Sequence, residues 1–164
     1  MACSKHRGTV VNNIDPNQMG RLLVSVPDVL GDQAAFAMPC VPYAGAGVGF
    51  AALPPVGANV WVEFENEDPA LPIWTGCFWN AGELPPGAGA SPDVKMLKTE
   101  GVTLKLDDSP GQGFSLTVGG EVTGGTTLRL LITDAGIVID NGRGSIITMN
   151  GPLVSVNNGA LEVQ

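Results

Sequence analysis

Apolar and polar positions along this chain alternate with period two in many short runs, and almost nowhere with the spacing of an amphipathic helix. No segment keeps an i, i+3, i+4, i+7 apolar stripe for more than a turn or two. In the first half, the alternation predicts strands over residues 8–13, 21–26, 59–64 and 72–79. Asp15-Pro16-Asn17 and Pro54-Pro55-Val56-Gly57 read as turns, because Pro pre-sets φ, Asp and Asn cap their own backbone, and Gly accepts positive φ. Residues 27–37 read as an irregular polar and small-residue stretch. Pro39 and Pro42 demote the run 38–43 to an edge strand or extended loop.

The second half changes character. Short apolar runs recur at 102–106, 114–118, 128–130, 137–139, 146–149, 154–156 and 161–163, each closed by an Asn, Asp or Gly turn such as Asn141-Gly142 or Asn150-Gly151. No aromatic residue follows Phe114. Between the halves, residues 82–94 are rich in Pro, Gly, Ala and Ser and read as a linker. The predicted organisation is a barrel over 1–81, a linker over 82–94 and a repetitive β-segment over 95–164. About five strands in the first part fit a small closed barrel of the OB type, where closure removes exposed edges. The second part poses a packing problem, since a thin sheet of apolar strands has no second layer in the same chain to cover it. Interwound copies of the chain are the solution the pattern favours.

Composition supports an all-β reading. Only 15% of residues are charged, 44% are apolar, and the chain holds 23 glycines and 13 prolines. That apolar share offsets chain entropy and argues against disorder. The formal net charge is −8, which opposes nucleic acid as a partner, since phosphate contacts need clustered Lys and Arg. No apolar run follows the basic start as a secretory leader requires, and none approaches the length of a membrane span. Cys3, Cys40 and Cys77 are odd in number and lack CxxC spacing, so they predict neither a disulfide framework nor a zinc site, but reduced thiols in a protein made in a cytoplasm.

Candidate chemistry is sparse. His6 is the single histidine, so Ser–His and Cys–His arrangements would depend on one near-terminal residue. Glu63, Glu65 and Glu67 would share one face of a continuing strand, with Asp68 beside them, and could in principle bind a hard cation; a solvated acidic face is the expectation. Gly45, Gly47 and Gly49 lack the rest of a phosphate-binding motif and predict a flexible loop. Trp61, Trp74, Trp79, Phe64 and Phe78 could stack bases, but without a basic groove they fit core packing and protein docking better. No catalytic residue, metal ligand or cofactor is predicted.

One series of residues carries a family resemblance. It runs Gly8-Thr-Val-Val-Asn-Asn, Asp15-Pro16 with Gly20-Arg21, and Val24-Ser-Val26-Pro27. It continues with Pro54-Pro-Val-Gly57-Ala-Asn-Val60-Trp61-Val62-Glu63-Phe64-Glu65, then Asp68-Pro69-Ala-Leu-Pro72-Ile73, Gly76 and Trp79. It resembles the OB domain of the phage baseplate assembly protein V and VgrG spike family, over residues 7 to about 80. The later strands resemble that family's β-helical spike, and Asn157-Asn158-Gly159-Ala160-Leu161-Glu162-Val163 resembles its ending.

The resemblance implies an OB barrel followed by an intertwined trimeric β-helix, or β-prism. It implies a non-enzymatic central spike of a contractile phage tail or related injection system, which punctures the target envelope when the sheath contracts. The alternative is an OB-type module binding oligonucleotide or oligosaccharide. The expected trimer core is Val102, Leu104, Leu116, Val118, Leu128, Leu130, Ile137, Ile139, Ile147, Val154, Val156, Leu161 and Val163. With no hub segment ahead of the barrel, a separate hub or baseplate protein is expected above it. A PAAR-type tip protein is expected at Leu161, Val163 and Gln164. No His-x-His pair is present near the end for the iron site of some phage spikes. The implied setting is a particle made in the bacterial cytoplasm, at the centre of a baseplate, touching the target membrane only mechanically.

Overall fold

The computed structural model describes residues 4–89 and 91–163, without the side chains of residues 121, 122 and 162. It divides into two compact units, Met1–Glu83 and Leu84–Gln164.

The first unit contains β1 (His6–Asn12), β2 (Leu22–Ser25), a single helical turn α1 (Pro27–Leu30), β3 (Ala34–Pro39), β4 (Ala44–Gly45), β5 (Val48–Gly49), β6 (Asn59–Phe64) and β7 (Pro72–Phe78). Five of these strands close a barrel in the order β1-β2-β3-β7-β6. All neighbours are antiparallel except β3 and β7, which run parallel through Met38↔Ile73 and Pro39↔Trp74. This is the OB fold. Period-two alternation points Val10, Leu22, Val24, Val60 and Val62 inward, where with Val26, Ala37 and Trp74 they form the buried core. Phe64 packs against that core from the end of β6.

Two parts of this unit differ from the sequence reading. Residues 27–37 are not irregular throughout: they make α1 and most of β3. Ala34-Ala-Phe-Ala-Met-Pro39 carries no β-branched residue, so its propensity signal is weak. Pairing with β2 on one side and β7 on the other makes it a strand. It is also interior to the closed barrel rather than an edge, and Pro39 is tolerated because it is the last residue of the strand. The strand read over 59–64 does not continue into the glutamates, which would have been needed to align them on one face. The strand ends at Phe64, and Glu65–Glu67 form a 3-10 turn in which Asn66 and Glu67 have φ of 53° and 62°. Glu63, Glu65 and Glu67 therefore do not share one strand face.

The second unit contains β8 (Val94–Lys98), β9 (Val102–Asp107), β10 (Gly113–Val118), β11 (Leu128–Thr133), β12 (Gly136–Asp140), β13 (Ile146–Asn150), β14 (Leu153–Val156) and β15 (Leu161–Val163). They form one eight-stranded sheet in strict chain order, every pair antiparallel. Sequence pattern did not single out β8, where two lysines interrupt the apolar run; the open edge of β9 recruits it. Gly113 and Gly136 open their strands at φ of 152° and 137°. A Cβ there would lie 2.3 Å from the Ile132 carbonyl oxygen and 1.9 Å from that of Met149, so only glycine lets the neighbouring backbones approach.

Candidate trimerisation face and the barrel surface

Cross-strand partners in an antiparallel ladder point to the same side, so the register assigns every side chain of the sheet to one face. One row runs Leu97, Leu104, Leu116, Leu130, Ile139, Ile147, Val156, Leu161. A second runs Leu106, Phe114, Ile132, Ile137, Met149, Val154, Val163. A third, shorter row is Val102, Val118, Leu128. All thirteen residues expected in the trimer core lie on this face, together with Leu97, Leu106, Phe114, Ile132 and Met149, which were not expected there. Leu106, Phe114 and Met149 lie at the ends of the alternating runs 102–106, 114–118 and 146–149, in phase with the expected core residues of the same strands. Ile132 was hidden in the run Leu130-Leu131-Ile132, where alternation cannot be read. The register settles it: Leu131 pairs with Ser115 and Val138 on the opposite face.

Eighteen large apolar side chains thus share one side of a single layer. None of them is buried in the single chain. Leu97, Leu106, Ile132, Ile139, Leu161 and Val163 are 41–59% exposed. Of the residues expected to dock a tip protein, Leu161 and Val163 lie on this face at the last strand; Gln164 lies outside the described residues.

Charge collects away from the face. On the other side, Lys105 and Asp107 form an ion pair at 3.0 Å, and Arg129 faces Asp140 at 3.8 Å. Ser109 and then Lys105 hold the Asp107 carboxyl below its usual range, as its hydrogen bonds favour the charged form. Lys95 is the one charged residue whose register places it in an apolar row, opposite Leu106, and its ammonium turns to the rim, where it pairs with Asp108. Inner strands find hydrogen-bond partners on both edges within the same chain. Association through this face would therefore rest on side-chain packing rather than on exchanged strands.

On the barrel, Asp15 organises the β1–β2 turn. Its carboxylate accepts the backbone N–H groups of Asn17 and Met19 and a two-pronged contact from the Arg21 guanidinium, whose nearest nitrogen is at 2.8 Å. Arg21 holds the Asp15 carboxyl well below the usual carboxylate range. The same guanidinium lies over the Phe36 ring at 4.8 Å. This explains chemically why Asp15-Pro16 and Gly20-Arg21 belong to one motif.

The remaining sequence candidates separate. His6 lies on β1, edge-to-face with Phe64 at 5.5 Å. Gly45, Gly47 and Gly49 fall in the β4–β5 hairpin rather than in an unstructured loop. Trp74 is core, with its indole N–H donating to the Gly20 carbonyl at 3.2 Å. Trp61 and Phe78 lie 4.6 Å apart at a 40° tilt, and the Arg7 guanidinium sits over both rings at 5.1 and 4.6 Å. Trp79 is 64% exposed. Cys40 and Cys77 are free thiols, and Cys3 lies outside the described residues. Among the described residues, no three His, Cys, Asp or Glu side chains are placed to hold a metal ion, and no helix is long and apolar enough to cross a membrane.

Two family models match this chain. The model of the Type VI secretion system/phage-baseplate injector OB domain matches residues 6–79, and that of the phage baseplate V C-terminal trimerisation domain matches residues 94–162. The chain belongs to the phage baseplate V and VgrG-type spike family. Over 73 residues it is 38% identical to the actin cross-linking toxin VgrG1 of Vibrio cholerae serotype O1 (strain ATCC 39541 / Classical Ogawa 395 / O395). That match covers 44% of this chain and 6% of the toxin. The first match coincides with the barrel and the second with the sheet of β8–β15, which is therefore the family's trimerisation domain.

Proposed function

We propose that three copies of this chain bring the apolar faces of their C-terminal sheets together into a closed prism, with the predicted core residues from Val102 to Val163 inside. The observation that carries this reading is the apolar face of eighteen side chains across eight strands, none of them buried in the single chain. Ten of the eighteen are 36–59% exposed in the single chain, and covering that area is worth roughly 1 kcal/mol each, on the order of 10 kcal/mol per chain and 30 kcal/mol per trimer. That is of the size needed to offset two losses of rigid-body freedom at roughly 4–15 kcal/mol each. A monomer would leave the same area in water.

A prism of this kind suits a mechanical task. Strands hydrogen-bonded along the sheet and packed face to face resist bending, and the task needs no catalytic group. The proposed role is the central spike of a contractile phage tail or related injection system, driven through a target envelope by sheath contraction and touching the membrane only mechanically. A cytoplasmic origin, a boundary linker over 82–94, a separate hub above the barrels and a PAAR-type tip protein against Leu161 and Val163 belong to the same proposal. The place of β15 at the edge of the sheet supports the last of these.

The test is the mass of the purified full chain by light scattering coupled to size exclusion. Three chain masses, stable on dilution into the micromolar range, are expected. A single chain mass under those conditions overturns the reading. For the tip protein, mixing the trimer with a candidate cap and finding no co-elution would count against that partner.

A further inference from the structure

Lys5, Arg7 and Arg21 are the basic residues of the barrel, and two of them have a carboxylate partner. Lys5 reaches Glu63 at 2.7 Å and Arg21 reaches Asp15 at 2.8 Å. Arg7 is exposed and, among the described residues, has no carboxylate within ion-pair distance. It lies opposite Trp61 across the β1–β6 ladder, and its guanidinium is held over Trp61 and Phe78. The aromatic faces hold the cation in place and leave its planar fork of N–H donors for another acceptor.

The carboxylates of this side of the barrel are engaged elsewhere. Glu63 is taken by Lys5, whose ammonium also donates to Thr75 Oγ1 at 2.8 Å. The Glu83 carboxylate accepts the Asn59 side-chain amide at 3.1 Å, the Asn80 backbone N–H at 2.7 Å and the Asn80 side-chain amide at 3.2 Å. A chain of net charge −8 therefore keeps one barrel cation without a carboxylate of its own. Beside it, Phe78 also walls a hollow of about 490 Å³ together with Pro54, Pro55, Val56 and Trp79. Val56 is 61% and Trp79 64% exposed there.

We propose that this face docks an acidic segment of a separate protein. One carboxylate of that segment takes the Arg7 fork in a two-pronged contact, and a neighbouring apolar side chain enters the hollow against Val56 and Trp79. Because the rings already fix the guanidinium, little side-chain freedom is lost when the carboxylate arrives. A nucleic-acid backbone fits this face less well: it would find a single free cation and two carboxylates, Glu63 and Glu83, along its path. The contact does not depend on how many chains form the prism.

The experiment follows the three tryptophan indole N–H signals of the full chain by nuclear magnetic resonance. The probe is the peptide acetyl-Glu-Leu-Asp-Leu-Glu-amide, and its neutral counterpart is acetyl-Gln-Leu-Asn-Leu-Gln-amide. The acidic peptide should move the Trp61 and Trp79 signals. Trp74, buried with its N–H bonded to the Gly20 carbonyl, should stay in place and report an intact barrel. Binding should weaken about tenfold or more in Arg7→Gln, as expected for losing a charged hydrogen-bonded pair. Arg7→Lys, which keeps the charge without the fork, should weaken it several-fold. Val56→Asp places a like charge at the hollow without touching Arg7 and should weaken it too, whereas Arg143→Gln, at an exposed cation of the C-terminal sheet, should bind as wild type does. No movement of Trp61 and Trp79 at millimolar acidic peptide overturns the proposal. So do equal shifts with the neutral peptide, or an unchanged titration in Arg7→Gln. Movement of the same signals by oligothymidylate at lower concentration than by the acidic peptide overturns it in favour of a nucleic-acid surface.

Discussion

Ile139→Asp puts a carboxylate in the middle of the apolar face, between Leu130 of β11 and Ile147 of β13. In the single chain Ile139 is 46% exposed, so the substitution there forfeits only the covered half of the side chain, about 1 kcal/mol. In a prism the same position is enclosed, and an unpaired buried carboxylate costs several kcal/mol per copy. Symmetry repeats that cost three times, giving a penalty on the order of 10 kcal/mol per trimer. Most of the free energy of association would be lost while the single chain stays nearly as stable as before. Thr148→Asp is the matched control: it sits on the neighbouring strand but on the opposite face, paired with Val138 and Ser155. Light scattering over a dilution series should show wild type and Thr148→Asp at three chain masses and Ile139→Asp at one. Acidification adds a second readout. Enclosure raises a carboxyl pKa, so lowering the pH to about 5 protonates the carboxylate that Ile139→Asp introduces and should restore part of the trimer. An Ile139→Asp protein that remains a trimer of unchanged melting temperature would refute the assignment of this face to the interior.

Other perturbations test other links. Removing residues 95–164 deletes the apolar face, and the remaining barrel should sediment as a single chain; a barrel that stays trimeric at low concentration would contradict the placement of the main interface. Gly136→Ala forces a Cβ against the Met149 carbonyl at a positive φ, and should cost about 2 kcal/mol or more in chemical denaturation of the sheet, with an unchanged midpoint counting against this backbone packing. Asp15→Asn tests the turn clamp through pH. The native carboxyl is held below its unfolded value, so its contribution is complete above the ordinary carboxylate pKa of about 4 and fades as pH falls below it. The variant should melt lower at neutral pH and lose part of the wild-type fall in melting temperature between about pH 5 and pH 2. Parallel acid profiles for the two proteins would exclude the clamp as a source of stability.

Much of this molecule was legible in its sequence because the β pattern states a face directly. Period two put Val60 and Val62 in the barrel core, and the same rule picked thirteen residues of the C-terminal face before any register was known. Turn residues such as Asn150-Gly151 marked where strands end, since few other residues accept those backbone angles. What the pattern could not decide were matters of partnership. Ala34–Pro39 became a strand because the closing barrel needed a third member between β2 and β7, not because its residues favour extension. Glu65–Glu67 left the strand because the chain turns after Phe64, so three glutamates at even spacing never met. Leu130, Leu131 and Ile132 are chemically alike, and only pairing with β10 and β12 sends the middle one to the opposite side. Local alternation fixes which side chains share a face within one strand; the alignment of strands with one another, and hence the continuous eighteen-residue surface, is set by hydrogen-bond register between segments distant in sequence.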